Sequence, residues 1–257
     1  MSLPDLSQAL LITSAVFVLA GFVKGVVGLG LPTIAMGLLS LVMLPAQAAA
    51  LLVVPSLVTN LWQIGGPGFF ALLRRLAPML AGVCLGTALG AGWLSADGEA
   101  HGGSWAGLGL GLALVGYAAL GLLHWRARVS SRREPWLGPL VGIATGLVTA
   151  ATGVFVIPAV PYLQALGMEK DELVRALGLS FLVSTIALGA SLGHGGSLHA
   201  PALAASATAV LPALVGMGAG QWLRGRVQPE TFKTIFFIGL LLLGAYLAIR
   251  NAIGLGR

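Results

Sequence analysis

The chain has 257 residues, of which 57% are hydrophobic and 9% are charged, against roughly a quarter charged in an ordinary soluble domain. A soluble fold of this length would lack the polar side chains to cover its surface, so the composition excludes a soluble enzyme or binding module. The net charge of +6 comes from basic residues that stand singly or in pairs between apolar stretches, which is typical of membrane orientation and not of nucleic-acid binding.

Apolar stretches long enough to cross a membrane fill the chain, since a spanning helix needs about 20 mainly apolar residues. We predict them at 9–31, 31–45, 47–65, 75–95, 105–124, 137–166, 173–193, 201–223 and 232–250. The first stretch lacks the basic start and the cleavage site of a signal peptide, so we interpret it as a helix of the mature protein. All six tryptophans stand near stretch ends, as expected at a membrane interface: Trp62, Trp93, Trp105, Trp125, Trp136 and Trp222.

The basic residues predict the orientation, because cytoplasmic connections of membrane proteins are rich in Lys and Arg. The connections at 74–75, 126–133 and 224–233 carry most of these residues and are predicted inside. The connections at 97–101 and 194–199 contain no Lys or Arg and are predicted outside. This interpretation favours both termini on the outer side of a plasma membrane.

Two glycine-rich regions, 9–45 and 137–166, each have to begin and end on the same side to agree with these assignments. Each region is therefore a hairpin, broken or re-entrant, and three single crossings follow it. We predict an all-α polytopic membrane bundle of two inverted-topology repeats, with a first repeat at 1–124, a basic cytoplasmic linker at 125–136 and a second repeat at 137–257. Inverted repeats are a transporter architecture, with the substrate near the midplane between the halves.

Residue matches support the repeat. The segment Gly21-Phe-Val-Lys24-Gly25 aligns with Gly142-Ile-Ala-Thr145-Gly146. Further along, Pro78-x3-Gly82-x3-Gly86 aligns with Pro212-x3-Gly216-x3-Gly220, and a Trp-Leu pair stands near the end of both helices. The matches extend across each half and favour two related repeats of opposite orientation.

Lys24 is the only charged residue in the interior of any apolar stretch. An ionisable group at that depth costs several kcal/mol unless it is paired or wet. It stands beside Gly25, Gly28, Gly30 and Pro32, which disfavour an unbroken helix. A break exposes backbone N–H groups that attract anions, so we predict an anion site here. The alternative is that the lysine reaches to the nearer membrane surface.

The second half places Thr149, Thr152 and Gly153 before Pro158, at the corresponding glycine and proline break. Threonine hydroxyls at this spacing are candidate donors to an anion at the pseudo-symmetric position. The alternative is that each hydroxyl bonds the backbone of its own helix, as threonines in membrane helices often do.

Four more polar residues are candidates for the substrate path. Asn60, Ser180 and Ser184 lie within apolar stretches, where buried amides and hydroxyls need partners; they either line the path or tie helices together. Arg175 opens its helix just after the charged stretch 169–172. It is either part of a solvated inner connection or a ligand of the anion.

Missing residue types narrow the function further. No Asp or Glu occurs within any apolar stretch, whereas proton and cation pumps usually place a carboxylate there, so an anion is the better substrate. The pair His194 and His199 lacks further ligands, so no metal site is predicted, and Cys84 is the single cysteine. No nucleophile with a base is visible, so we predict neither an enzyme nor a cofactor.

The sequence resembles the TauE/SafE family of sulfite and organosulfonate exporters. The resemblance lies in the length, the two-half layout, the signature Gly21-x-x-Lys24-Gly25-x-x-Gly28-x-Gly30 and a second signature from Thr152-Gly153 to Pro161, followed by Arg175. Many members carry a small residue where this chain has Leu31. The resemblance implies the bacterial inner membrane and transport of sulfite, organosulfonates or related anions, without identifying the substrate of this chain.

The leading hypothesis is a secondary transporter that moves a small anion by alternating access, with Lys24 and half-helix amides holding the anion. Its predicted partners are the anion, the lipid bilayer and a coupling proton or ion. A substrate such as sulfite can itself carry the coupling proton. No nucleic acid is expected, and a homo-oligomer is compatible with the sequence. The alternative is a non-transporting membrane assembly or sensor protein, and an intramembrane enzyme is less favoured.

Overall fold

The structure is a computed structural model that describes residues 3–66, 68–96, 105–123, 128–130, 132–224, 226 and 229–255. Within these ranges the secondary structure is helical, and eight helical segments are long and apolar enough to cross a membrane; one of them, Ala200–Arg224, is interrupted at Ala209. The predicted all-α polytopic class is thereby confirmed. Outside the described ranges lie Asp97, Glu99 and His101 of the predicted outer connection, and His124, Trp125 and Arg126 at the predicted inner connection.

Each half of the chain begins with a long helix and a short helix, and four further helices follow. The first half has α1 (Leu3–Val27), α2 (Leu31–Leu39), α3 (Pro45–Ile64), α4 (Phe69–Leu89), α5 (Trp93–Ala96) and α6 (Trp105–Leu122). The second has α7 (Glu134–Thr152), α8 (Ala159–Ala165), α9 (Lys170–His194), α10 (Ala200–Thr208), α11 (Val210–Arg224) and α12 (Pro229–Leu255). The predicted hairpins thus have one arm of spanning length, α1 or α7, and one short arm of 9 or 7 residues, α2 or α8.

Glycines and prolines set where the helices stop. Helix α1 ends at Val27 because Gly28 and Gly30 have φ angles of +85° and +113°, which glycine adopts without steric cost. The stretch predicted as one helix at 201–223 is divided into α10 and α11 at Ala209. Its division has a physical reason, since Pro212 has no N–H to donate to the carbonyl of Thr208.

One end of the bundle collects the basic residues. The ends of α1, α6 and α11 and the starts of α9 and α12 line a common cavity there. Arg75, at the start of α4, contacts Glu134 at the start of α7 (2.7 Å) and Glu172 near the start of α9 (3.6 Å). We call this the basic end of the bundle after its cations: Arg74, Arg75, Lys170, Arg224 and Lys233.

Two helix pairs, α1 with α11 and α7 with α4, are held together by glycines. A Cβ atom added at Gly21 would lie 2.1 Å from the carbonyl oxygen of Ala213, and one added at Gly142 would lie 2.1 Å from that of Met79. Ala213 and Met79 each follow the proline of the aligned motif, so the contacts correspond position by position. The other aligned glycines make equivalent contacts. Their added Cβ atoms would lie 2.0–2.4 Å from a backbone oxygen of the partner helix: Gly25, Gly82, Gly86, Gly146, Gly216 and Gly220.

The remaining long helices pair across the two halves in antiparallel fashion. Helix α9 crosses α3 with Gly178 beside Gln63 and Gly189 beside Val53. Helix α12 lies along α6 in the same manner, with Phe237 against Gly121 near the end of α6. Helices α3 and α9 are the most buried of the candidate membrane spans. Their buried faces carry six polar residues: Ser56, Thr59, Asn60, Ser180, Ser184 and Thr185.

Helix α11 offers a matched pair of glycines that tests the close packing. A Cβ atom at Gly216 would lie 2.0 Å from the carbonyl oxygen of Val18, whereas one at Gly218 would have no atom within 4 Å. We expect Gly216→Ala to lower the thermal midpoint of the detergent-purified protein by roughly 2–10 °C, because α1 and α11 have to separate. We expect Gly218→Ala to leave it unchanged or slightly higher, since alanine favours the helix. Equal effects in a thermal size-exclusion assay would contradict this packing.

Candidate functional site

Lys24 lies in the last turn of α1 with 3% of its surface exposed. Among the described residues it is the only Lys, Arg, Asp or Glu that is fully buried. Its position at the carbonyl end of a helix favours a positive charge. The side chain does not reach to the membrane surface, which was the alternative for this residue; it turns inward to helix α3.

The ammonium group of Lys24 is bound by two neutral oxygens of α3. Its Nζ donates to Oγ1 of Thr59 at 3.0 Å and to Oδ1 of Asn60. Thr59 gives its own hydroxyl hydrogen to the carbonyl of Pro55 at 2.7 Å, so its oxygen is oriented to accept from the lysine. An ammonium carries three N–H groups, and the described residues accept from two of them. No carboxylate within the described ranges contacts this cation.

Gln63 holds the helix break in place one turn further along α3. Its Nε2 donates to the carbonyl oxygens of Gly28 at 2.8 Å and Val174 at 2.9 Å. Both amide hydrogens are used, which fixes the orientation of the side chain and ties the break after α1 to helix α9. Sequence reasoning missed this residue, although a polar residue three positions after Asn60 in an apolar stretch was a usable signal.

Lys24 is one of the residues that line a cavity of about 190 Å³. That is well above the space one water molecule needs, so a small anion fits. The cavity lies beside the helix break, and its lining combines residues of both halves: Lys24, Gly25, Gly28, Trp62, Gln63, Val174, Met217, Gln221 and Arg224. Of the predicted site glycines, Gly25 and Gly28 line this cavity, whereas Gly30 packs toward Val23 and Phe236.

The predicted threonines of the second half use their hydroxyl hydrogens within α7. Thr149 donates to the carbonyl of Thr145 and Thr152 donates to that of Val148, both at 2.7 Å. Gly153 has φ +71° and closes the helix through its N–H bond to the carbonyl of Thr149 at 2.8 Å. These hydrogens are therefore not available to a ligand in this structure.

The second break lies at a different level of the bundle from the first. A Cβ atom at Gly153 would lie 3.4 Å from the side chain of Ala49 in α3. Ala49 precedes Thr59 by ten residues, which is about 15 Å along a helix, so the structure does not bring Gly153 to Lys24. The backbone after Gly153 is covered by the fully buried side chains of Val154, Phe155 and Val156.

Three seryl hydroxyls at the α3–α9 crossing are buried without a hydrogen-bond partner among the described residues: Ser56, Ser180 and Ser184. The antiparallel crossing brings the α9 serines past the turn of α3 that carries Thr59 and Asn60. Arg175 is half-buried and packs against Gly66 in the turn after α3. It does not line the cavity beside Lys24.

The hydrogen bond between Lys24 and Asn60 yields a stability test. Asn60→Leu leaves the buried ammonium with one partner fewer, and we expect it to lower the free energy of unfolding by about 1–3 kcal/mol. Lys24→Met removes the charge, so the double variant with Asn60→Leu should recover most of that loss. Thermal unfolding of the four proteins measures the coupling. Additive effects would mean that the two side chains do not interact.

The fold and the site together define a polytopic helical membrane protein with a buried cation beside a helix break that opens to a cavity. A profile of the family described as "Sulfite exporter TauE/SafE" matches residues 13–247. The chain therefore belongs to the TauE/SafE sulfite exporter family of membrane transporters. No curated protein matches the sequence, and no solved structure matches it either.

Proposed function

We propose that this protein is a secondary transporter that moves a small anion, namely sulfite, an organosulfonate or a related anion, across the plasma membrane by alternating access. The observation that carries the proposal is the buried ammonium of Lys24, bound by Thr59 and Asn60 beside a cavity. Family membership supports a transporter of sulfur-containing anions.

The partners of Lys24 favour a ligand role over a purely structural one. A lysine that only fastens helices together is usually paired with a carboxylate, because a buried charge without a counter-charge is costly. Here both partners are neutral oxygens, so they hold the cation without cancelling its charge. An anion in the adjoining cavity supplies the missing negative charge. The unpartnered hydroxyls of Ser180 and Ser184 are further donors for the anion along the α3–α9 crossing.

Alternating access draws support from the agreement between the two halves. Helix α1 ends at the basic end, whereas α7, its counterpart in the aligned motifs, begins there. The matched glycine contacts of α1 with α11 and α7 with α4 relate the two halves position by position, as expected for inverted repeats, the architecture of many alternating-access transporters. The break beside Lys24 adjoins a cavity, while the break after Gly153 is packed with apolar side chains. This difference fits a state open toward the basic end and closed toward the other.

Transport by purified protein in liposomes tests the function. We expect uptake of sulfite or sulfoacetate by the wild type, measured under imposed pH and voltage gradients. Lys24→Met should reduce the rate about 10- to 100-fold, because it removes one charge-assisted hydrogen bond to the anion. Its thermal midpoint should change little, because removal of the uncompensated charge offsets the loss of the donor to the buried Asn60 oxygen.

The matched control is Arg132→Met, which removes an exposed cation that lies outside the cavity and should leave transport unchanged. Normal transport by Lys24→Met would remove Lys24 from the site. A wild type that moves no anion above empty liposomes would instead favour the non-transporting assembly or sensor protein. That alternative also predicts that cysteines at Asn60 and Thr149 resist thiol labelling from both sides.

The inverted arrangement makes a separate prediction on orientation in the plasma membrane. In a Cys84→Ala background, a cysteine at the exposed Gly195, between α9 and α10, should react with an impermeant thiol reagent on intact cells. A cysteine at the exposed Ser130, before α7, should react only after the membrane is opened. The reverse labelling pattern would contradict the predicted orientation, in which the basic end faces the cytoplasm and both termini lie outside.

A further inference from the structure

A second cavity, of about 330 Å³, lies at the basic end and is separate from the site built around Lys24. Residues of α1, α6, α8, α9, α11 and α12 meet there. The two cavities adjoin each other, because Val174 and Arg224 line both. The larger cavity contains several charged and polar side chains: Gln164, Lys170, Arg224, Glu230, Lys233 and Thr234.

The charges in this cavity do not cancel. Lys233 contacts Glu230 at 3.3 Å, whereas Lys170 and Arg224 have no ion-pair partner among the described residues. Three cations and one carboxylate leave a net of two positive charges on the lining. A concave surface lined by one sign of charge focuses the electrostatic field and raises the local concentration of the opposite ion.

The walls between these charges are apolar. Val26, Leu173, Leu177 and Phe237 line the same space. An anion that enters loses part of its water on this side while its charged oxygens face the cations. Arg224 is half-buried whereas Lys170 is exposed, so the apolar walls strengthen charge-assisted hydrogen bonds chiefly at Arg224.

We infer that the basic-end cavity is a second binding site for small oxyanions, in which Arg224 and Lys170 hold the anion. Arg224 lines both cavities, so an anion bound there stands next to the space beside Lys24. That an anion bound in this cavity then moves to the site at Lys24 rests on the proposed transport function. Anion binding at Arg224 and Lys170 does not require transport and is tested without it.

The test measures the reactivity of a cysteine placed in the cavity. Thr234 is exposed and lines it, so Thr234→Cys in a Cys84→Ala background reports the local charge in detergent-purified protein. An anionic sulfonatoethyl thiosulfonate and its cationic trimethylammonium counterpart are compared, each relative to a free thiol. At an ionic strength of about 0.01 M, where screening is weak, we expect the anionic reagent to react at least about threefold faster. Millimolar methanesulfonate should slow the reaction more than chloride of equal ionic strength.

Further variants distinguish an anion-binding site at Lys170 and Arg224 from a general positive potential at the basic end. Lys170→Gln with Arg224→Gln should remove both the preference and the protection, whereas Arg132→Gln, an exposed cation outside the cavity, should change neither. Each single Gln variant is included in case the double variant does not elute as a folded protein. Equal reactivity toward both reagents would overturn the inference, and so would protection by methanesulfonate no better than by chloride. A protein that shows protection but no anion transport would retain this site and lose the proposed function.

Discussion

The interior of this protein depends on one electrostatic constraint, the placement of the Lys24 ammonium in an otherwise apolar bundle. Burial of a charge is tolerated only with good partners, and here the partners are oxygens of Thr59 and Asn60 on the neighbouring helix. Those oxygens stabilise the ammonium by hydrogen bonding but leave its charge uncompensated. Under the proposed function, an arriving anion supplies the charge that these oxygens do not.

The rest of the fold places that lysine at a break and beside a cavity. Gly28 ends α1, and Gln63 fastens the carbonyl of Gly28 to α3 and α9. Behind this break, Gly21 and Gly25 let α11 approach the backbone of α1 closely, as Gly142 and Gly146 do for α4 against α7. Contacts of this kind suit a membrane interior, where helices associate through close packing of small residues and not through the hydrophobic effect.

Composition and glycine spacing sufficed to predict the membrane class, most helix locations, the two breaks and the burial of Lys24. Helix ends were harder to place where a proline divides a continuous apolar stretch, as at Pro212 between α10 and α11. The partners of the lysine were only partly predictable. Asn60 was identified as a polar residue at depth, but its contact with Lys24 depends on how α1 crosses α3, which a single sequence does not encode locally.

The hydrogen-bond partners of the α7 threonines could not be predicted from the sequence either. Sequence alone left Thr149 and Thr152 either as donors to an anion or as donors to their own helix, and the structure has them donate to carbonyls of α7. The serines on α9 were also ambiguous, and Ser180 and Ser184 lack partners in the described part of the chain. Whether a hydroxyl is free depends on the local backbone and on the neighbouring helix, so residue type alone could not separate these two groups.

The central claim is that the uncompensated charge of Lys24 binds the anion, and Asn60→Asp tests it most directly. This substitution keeps the shape of the side chain and places a carboxylate beside the ammonium. Equilibrium binding of radiolabelled sulfite and of sulfoacetate to the purified protein should then weaken at least about tenfold relative to the wild type, with no loss of thermal stability. Binding by Asn60→Asp as tight as that of the wild type would contradict the account.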